Sequence, residues 1–121
     1  MKQYTNESQT TKLIELGFEK PCSIASVEPI YGMGGISVAK AYSIGELIEM
    51  LPTTIEHEIW WGEEEVMDGF WGLQMSTNGT DYMWTVDYVR DHSAPLYRWA
   101  GSELTDALFD AIVELKEEGV I

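Results

Sequence analysis

The sequence predicts an α+β domain of two layers, in which an antiparallel meander of three to four strands packs against a C-terminal helix. Two observations predict this class. Residues 103–118 carry a continuous apolar stripe at helical spacing, and residues 54–61 alternate apolar with polar side chains as a half-buried strand does. Two shorter helices are expected ahead of the sheet, so the element order is typical of an α+β sandwich.

The chain has 121 residues, of which 45% are apolar. This length suits one domain, and the apolar fraction is close to the globular average, so a packed core is expected. No linker rich in proline or serine and no internal repeat divides the sequence. We therefore expect a single α+β domain over residues 1–121.

Capping residues predict the two N-terminal helices. Asn6 can cap a first helix that continues to about Leu16, and Gly17 is placed to end it. Ser43 and Glu46 have the spacing of a capping box for a second helix, which a proline at position 52 stops.

The C-terminal helix has the strongest signals. Ser102 is expected to cap it, Glu103 suits its positive N-terminal end, Lys116 suits its last turn, and Gly119 fits its C-terminal cap. Its apolar stripe is formed by Leu104, Ala107, Leu108, Ala111, Ile112 and Leu115.

The sheet is predicted from one strand and one hairpin, with a fourth strand at 96–99. The first strand is Thr54–Trp61, and Asn78-Gly79 is typical of a two-residue type I′ turn. That turn sets Met75 opposite Tyr82, and the other predicted pairs are Thr77–Thr80, Leu73–Trp84 and Trp71–Val86. The apolar face of the hairpin is then Trp71, Leu73, Met75, Tyr82, Trp84, Val86 and Tyr88.

Segment 20–42 shows no clean period, and we expect a loop between the first two helices. It contains Gly32-Met33-Gly34-Gly35, but Ser37 stands where a dinucleotide-binding loop needs its third glycine, and no Gly-Lys-Ser/Thr follows. The sequence thus favours a turn over nucleotide binding.

Charge excludes several function classes. The net charge is −14, with 21 acidic and 7 basic side chains. Residues 41–89 contain ten acids and neither Lys nor Arg, so they hold −10, and the remaining 11 acids and 7 bases hold −4. Binding to nucleic-acid phosphates or to anionic lipid requires clustered basic residues, so both are excluded as partners.

The expected location and the expected lack of a cofactor both rest on features that the sequence does not contain. The N-terminus lacks the apolar stretch of a secretory signal, no window is apolar enough to span a membrane, and a cytoplasmic location is expected. The single cysteine, Cys22, excludes an internal disulfide and a zinc site made of several thiolates from one chain. No cofactor is expected.

Three segments together carry a resemblance. They are Leu-Ile-Glu-Leu-Gly-Phe-Glu-Lys-Pro at 13–21, Tyr-Ser-Ile-Gly-Glu-Leu-Ile-Glu-Met-Leu-Pro at 42–52, and Glu-Leu-Thr-Asp-Ala-Leu-Phe-Asp-Ala-Ile-Val-Glu-Leu-Lys at 103–116. With them the chain resembles small uncharacterised acidic proteins of gut-bacterial genomes and their phages or mobile elements. The resemblance implies a small bacterial or phage accessory domain, with no known activity and no site residues to transfer.

A candidate interaction surface lies in the first predicted strand and the acidic run after it. Trp60 and Trp61 are adjacent on a strand, so they point to opposite faces, and one is exposed, covered by segment 20–42, or part of an interface. Tryptophan is enriched among interface hot spots. The candidate surface comprises Glu56, Glu58, Trp60, Glu63, Glu64 and Glu65.

The sequence thus predicts a non-catalytic, acidic protein-interaction module, of accessory, inhibitor or immunity-like type, that binds a basic or amphipathic protein. The module itself is expected to be a monomer or a weak homodimer, since −14 per subunit opposes self-association. The alternative is a small metal-dependent or hydrolytic enzyme that uses His57, His92 and nearby carboxylates. Neither histidine belongs to a known two-histidine spacing, and no catalytic or metal-binding residue is assigned.

Overall fold

A computed structural model describes residues 2–30, 35–61, 65–78, 83–90 and 94–121. For some of these residues the description covers the backbone alone, namely 27–30, 35–38, 57–61, 65–68 and 78. The helices are α1 (Glu7–Glu15), α2 (Ile44–Met50) and α3 (Leu104–Glu117). The strands are β1 (Ile24–Ile30), β2 (Gly35–Lys40), β3 (Thr54–Trp61), β4 (Glu65–Asn78), β5 (Met83–Val89) and β6 (Tyr97–Gly101).

The predicted α+β class is confirmed. Strands β3, β4, β5 and β6 form one antiparallel sheet in chain order, and α3 packs against β5, β6 and α2. The fourth strand begins at Tyr97, one residue later than predicted. Both shorter helices precede this sheet, as expected.

The predicted caps of α1 and α2 are present. The Asn6 side chain accepts a hydrogen bond from the backbone N–H of Gln9 at 2.8 Å, and Gln9 returns one to Asn6 at 3.0 Å. Ser43 and Glu46 make the same reciprocal pair, with both bonds 3.2 Å long. Gly17, which has a φ of +99°, ends α1 in a conformation that side chains with a Cβ rarely adopt.

The start of α3 differs from the prediction. The helix begins at Leu104, so Glu103 rather than Ser102 occupies the N-cap position, and the Glu103 side chain makes no capping bond. Glu103 instead accepts a hydrogen bond from the backbone N–H of Lys2 at 2.7 Å, which ties the N-terminal segment to the helix. At the other end, Gly119 has a φ of +78° and follows the helix as predicted.

The hairpin register in the larger sheet was wrongly predicted. Asn78 pairs with Met83 and Met75 pairs with Val86, so four residues (79–82) separate the paired positions and Asn78 belongs to β4. Residues 79–82, including the proposed turn glycine and Tyr82, lie outside the described residues. In β5 each partner lies four positions further along the chain than predicted, for example Val86 instead of Tyr82 opposite Met75. Four is an even number, and side chains alternate between faces with a period of two. An even shift keeps each side chain on its predicted face: Trp71, Val86 and Tyr88 belong to the core cluster, and Leu73, Met75 and Trp84 pack against it.

Segment 20–42 was also wrongly predicted, because it forms a second sheet rather than a loop. Strands β1 and β2 pair antiparallel from Ile24 with Lys40 to Ile30 with Gly35. A register shift between Ile24 and Ser26 interrupts the alternation of side chains between the two faces. A strand cannot then be recognised from a regular apolar and polar pattern. β1 also contains Pro29, which a two-stranded sheet tolerates because each of its strands has an open edge. Of the turn predicted at Gly32-Met33-Gly34-Gly35, the first three residues lie outside the described residues, and Gly35 begins β2.

The core lies between α3 and the larger sheet. Its fully buried members come from both layers, and α2 adds Leu47. Tyr88 of β5 is 0% exposed, and its hydroxyl donates a hydrogen bond to the Pro52 carbonyl at 2.7 Å. Burial raises the pKa of Tyr88 to about 12.

The buried tyrosine predicts a stability loss in alkali. Because the folded pKa lies above the unfolded value, Tyr88 contributes fully below pH 10, and its contribution falls as the pH rises toward 12. Between pH 9 and pH 12, wild type should lose roughly 2 kcal/mol more of its free energy of unfolding than Tyr88→Phe. Urea unfolding at several pH values measures this difference, and parallel curves for the two proteins would contradict it.

Candidate functional site

The larger sheet has an inner side, which packs against α3, and an opposite side, which we call the outer face. Glu56 is the one member of the candidate surface whose side chain is described, and it lies on the outer face. Alternation along the strands separates the two sides. Ile55 and Trp71 are cross-strand partners, both only 7% exposed, and both belong to the core. Glu56 and Phe70, the next pair along, are both exposed and therefore lie on the outer face.

Phe70 is the most exposed large apolar side chain among the described residues. Its side chain is 64% exposed, and its direct cross-strand partner is the exposed Glu56. An isolated exposed apolar residue is ordinary in proteins, but this one stands within the acid-rich range 41–89. An aromatic ring beside a carboxylate can contribute apolar contact area and attraction for a cation at the same place.

The backbone brings four of the six predicted site residues into one pair of strands. Glu56 pairs with Phe70, Glu58 with Asp68, Trp60 with Val66, and Glu65 with Trp61. The exposure of Glu56 is described. The side chains of Glu58, Trp60 and Glu65, and all of Glu63 and Glu64, lie outside the described residues, as does the choice between Trp60 and Trp61.

Phe70 was missed as a site residue, although the sequence contained a signal for it. The sequence pattern placed Trp71 on the inward face, and the alternation of a strand then places Phe70 outward. Phe70 and Trp71 are adjacent aromatic residues on one strand, and the structure shows the first exposed and the second buried.

An ion pair between the buried Asp87 and the exposed Arg98 lies on the outer face. Asp87 of β5 pairs across the strands with Gln74 and Arg98. Arg98 Nη2 and Nε donate to Asp87 Oδ2 at 3.0 and 3.2 Å, and Asp87 is only 4% exposed. This pair neutralises Arg98 within the face, since the arginine is engaged by a carboxylate of its own chain.

The enzyme alternative depends on His57, His92 and nearby carboxylates. The side chain of His57 and all of His92 lie outside the described residues. Cys22 is exposed, and its backbone N–H donates to Glu46 at 3.2 Å. Among the residues that the structure describes, no three His, Cys, Asp or Glu side chains are grouped to hold a metal ion.

No helix in the described part of the chain is long and apolar enough to cross a membrane. No protein-family model, curated protein or solved structure matches the sequence or the fold.

Proposed function

We propose that this chain is a non-catalytic protein-interaction module whose outer sheet face binds a basic or amphipathic protein. The observation that carries the proposal is the exposed Phe70 paired with the exposed Glu56, inside a range of sequence without Lys or Arg. In the setting suggested by its resemblance to bacterial and phage accessory proteins, the module acts in the cytoplasm as an inhibitor or immunity-like partner.

The mechanism has two stages. The −10 charge of residues 41–89 attracts a basic partner over a distance and raises its association rate. Once the partner is in contact, an aromatic side chain such as Phe70 is buried at the centre of the interface, where hot spots concentrate. The first stage depends strongly on salt, whereas the second depends on apolar area.

Affinity capture from bacterial lysate at low and high salt tests this proposal. We expect a basic protein to be retained at low salt and released at high salt. With that partner purified, Glu56→Lys should lower the association rate constant more than Glu15→Lys. Both variants change the net charge equally, and Glu15 is an exposed residue of α1.

Comparing Glu56→Lys with Glu15→Lys separates the effect of a local site from the effect of overall charge. Equal slowing by both variants would indicate that only the total charge attracts the partner. Failure to retain any basic protein at low salt would contradict the proposal outright.

A further inference from the structure

Strand β3 forms one edge of the larger sheet, since the strand order is β3-β4-β5-β6. The backbone N–H of Leu73 donates to the carbonyl of Thr53 at 3.0 Å, so position 53 directs its backbone polar groups toward β4. These groups alternate sides along an antiparallel strand. Counting from position 53, the N–H and C=O groups that face the open edge are those of Thr54, Glu56, Glu58 and Trp60.

An open edge is a template for pairing with another chain. Natural sheets protect such edges by keeping them short, by charge, or by a covering loop or helix. β3 is eight residues long, and within the described residues no strand pairs with its outer side. Three of the four edge-facing residues are also members of the candidate surface predicted from sequence.

A groove of about 370 Å³ lies against the beginning of this edge. The β3 side contributes Ile55 and Glu56, and the opposite side contributes Tyr97 and Val120. Ile55 and Tyr97 belong to the apolar core or pack against it, so the groove offers an apolar wall. Space for part of an added segment is therefore present beside the edge-facing backbone groups of Thr54 and Glu56.

The surroundings of the groove are acidic. Its lining includes the exposed Glu56, and none of the lining residues is basic. Burial, followed by the carboxylates of Glu118 and Glu114, raises the pKa of Tyr97 on the opposite wall. An occupant with lysine or arginine side chains is therefore favoured, whereas a second copy of this chain, at −14, would be repelled.

We infer that the open edge of β3 binds an extended segment of a partner protein by strand addition, and that basic and apolar residues alternate along this segment. The backbone groups of Thr54, Glu56, Glu58 and Trp60 supply the hydrogen bonds, and Glu56 selects the basic side chains. This inference rests on the proposed function and specifies its partner and its mode of binding.

A labelled ten-residue peptide in which lysine and valine alternate is the probe. It is compared with two N-methylated forms, one methylated at every lysine and the other at every valine. Only one edge of an added strand can bond to β3, so methylation of one residue type should weaken binding by about tenfold or more, and methylation of the other should leave it unchanged. Fluorescence anisotropy at low salt measures all three affinities.

A variant of the protein provides the converse test. Glu56→Pro removes both the charge and the edge-facing N–H, whereas Glu56→Gln removes the charge alone. Proline is tolerated at such a position because its missing N–H faces away from β4. Glu56→Pro should bind the unmodified peptide about fivefold more weakly than Glu56→Gln, which is the effect of one net hydrogen bond. Amide exchange in β3 should also slow when the peptide binds wild type.

Several outcomes would overturn the inference. Equal binding of the two methylated peptides would mean that charge alone holds the segment. Weak binding of the unmodified peptide at low salt would also overturn the inference, as would a dimer in sedimentation that Glu56→Pro disrupts. Retention of a basic partner in the capture experiment, alongside any of these results, would leave the proposed function standing and remove only this mode of binding.

Discussion

Replacing Leu108 with alanine is expected to lower the free energy of unfolding by about 3 kcal/mol. Leu108 is 0% exposed and lies on α3, the helix that covers the inner face of the sheet. The substitution removes buried apolar surface and leaves a cavity that close-packed neighbours fill only in part. For a domain of this size such a loss is a large share of the 5–15 kcal/mol that ordinarily separates folded from unfolded chains.

Urea unfolding measures this loss as a fall in the midpoint at an unchanged slope. The matched control is Ile14→Ala on α1, because Ile14 is 37% exposed and its truncation opens no enclosed cavity. The control should cost well under half as much. Equal costs for the two variants would contradict the assignment of α3 as the covering layer of the sheet.

The helices were predictable because their signals are local. Asn6, Ser43 and Gly17 act on backbone groups within a few residues, so spacing alone indicates where a helix begins or ends. The start of α3 was not predictable in the same way. Glu103 is engaged by the backbone of Lys2, about a hundred positions away, and no local pattern contains that contact.

The sequence predicted which face of the sheet each side chain occupies, but not which residues pair across the strands. Alternation around Trp71 and Val86 assigns each side chain to a side of the sheet, and that assignment is confirmed. The register depends on how many residues the connection between strands uses, which a single Asn-Gly pair does not determine. The irregular pairing near Ile24 concealed β1 for a similar reason.

The sequence indicates which range of the chain contains the proposed site, but only some of the residues that form it. An acid-rich range rich in aromatic residues is visible in the sequence, and it coincides with β3, β4 and β5. The exposed position of Phe70 follows from strand alternation with the inward Trp71. The burial of Asp87 beside Arg98 depends on the pairing of two separate strands, so it does not follow from composition.

Replacing Phe70 with threonine is expected to weaken binding of the partner by at least about tenfold, as the loss of an aromatic anchor does at an interface hot spot. The fold should be affected little, since Phe70 is 64% exposed and threonine retains a high strand propensity. Thermal unfolding of Phe70→Thr checks that the fold is intact. Titration calorimetry with the captured partner measures the affinity.

A photo-crosslinking analogue of phenylalanine at position 70 tests the central claim most directly, with the same analogue at the exposed position Thr11 of α1 as the matched control. If the outer face binds a basic protein, irradiation in bacterial cells will join that protein to position 70 and not to position 11. In lysate the adduct will decrease as salt is raised. Equal adducts at both positions, no adduct at position 70, or a covalent dimer of this chain there would contradict the assignment of this face as the interaction surface.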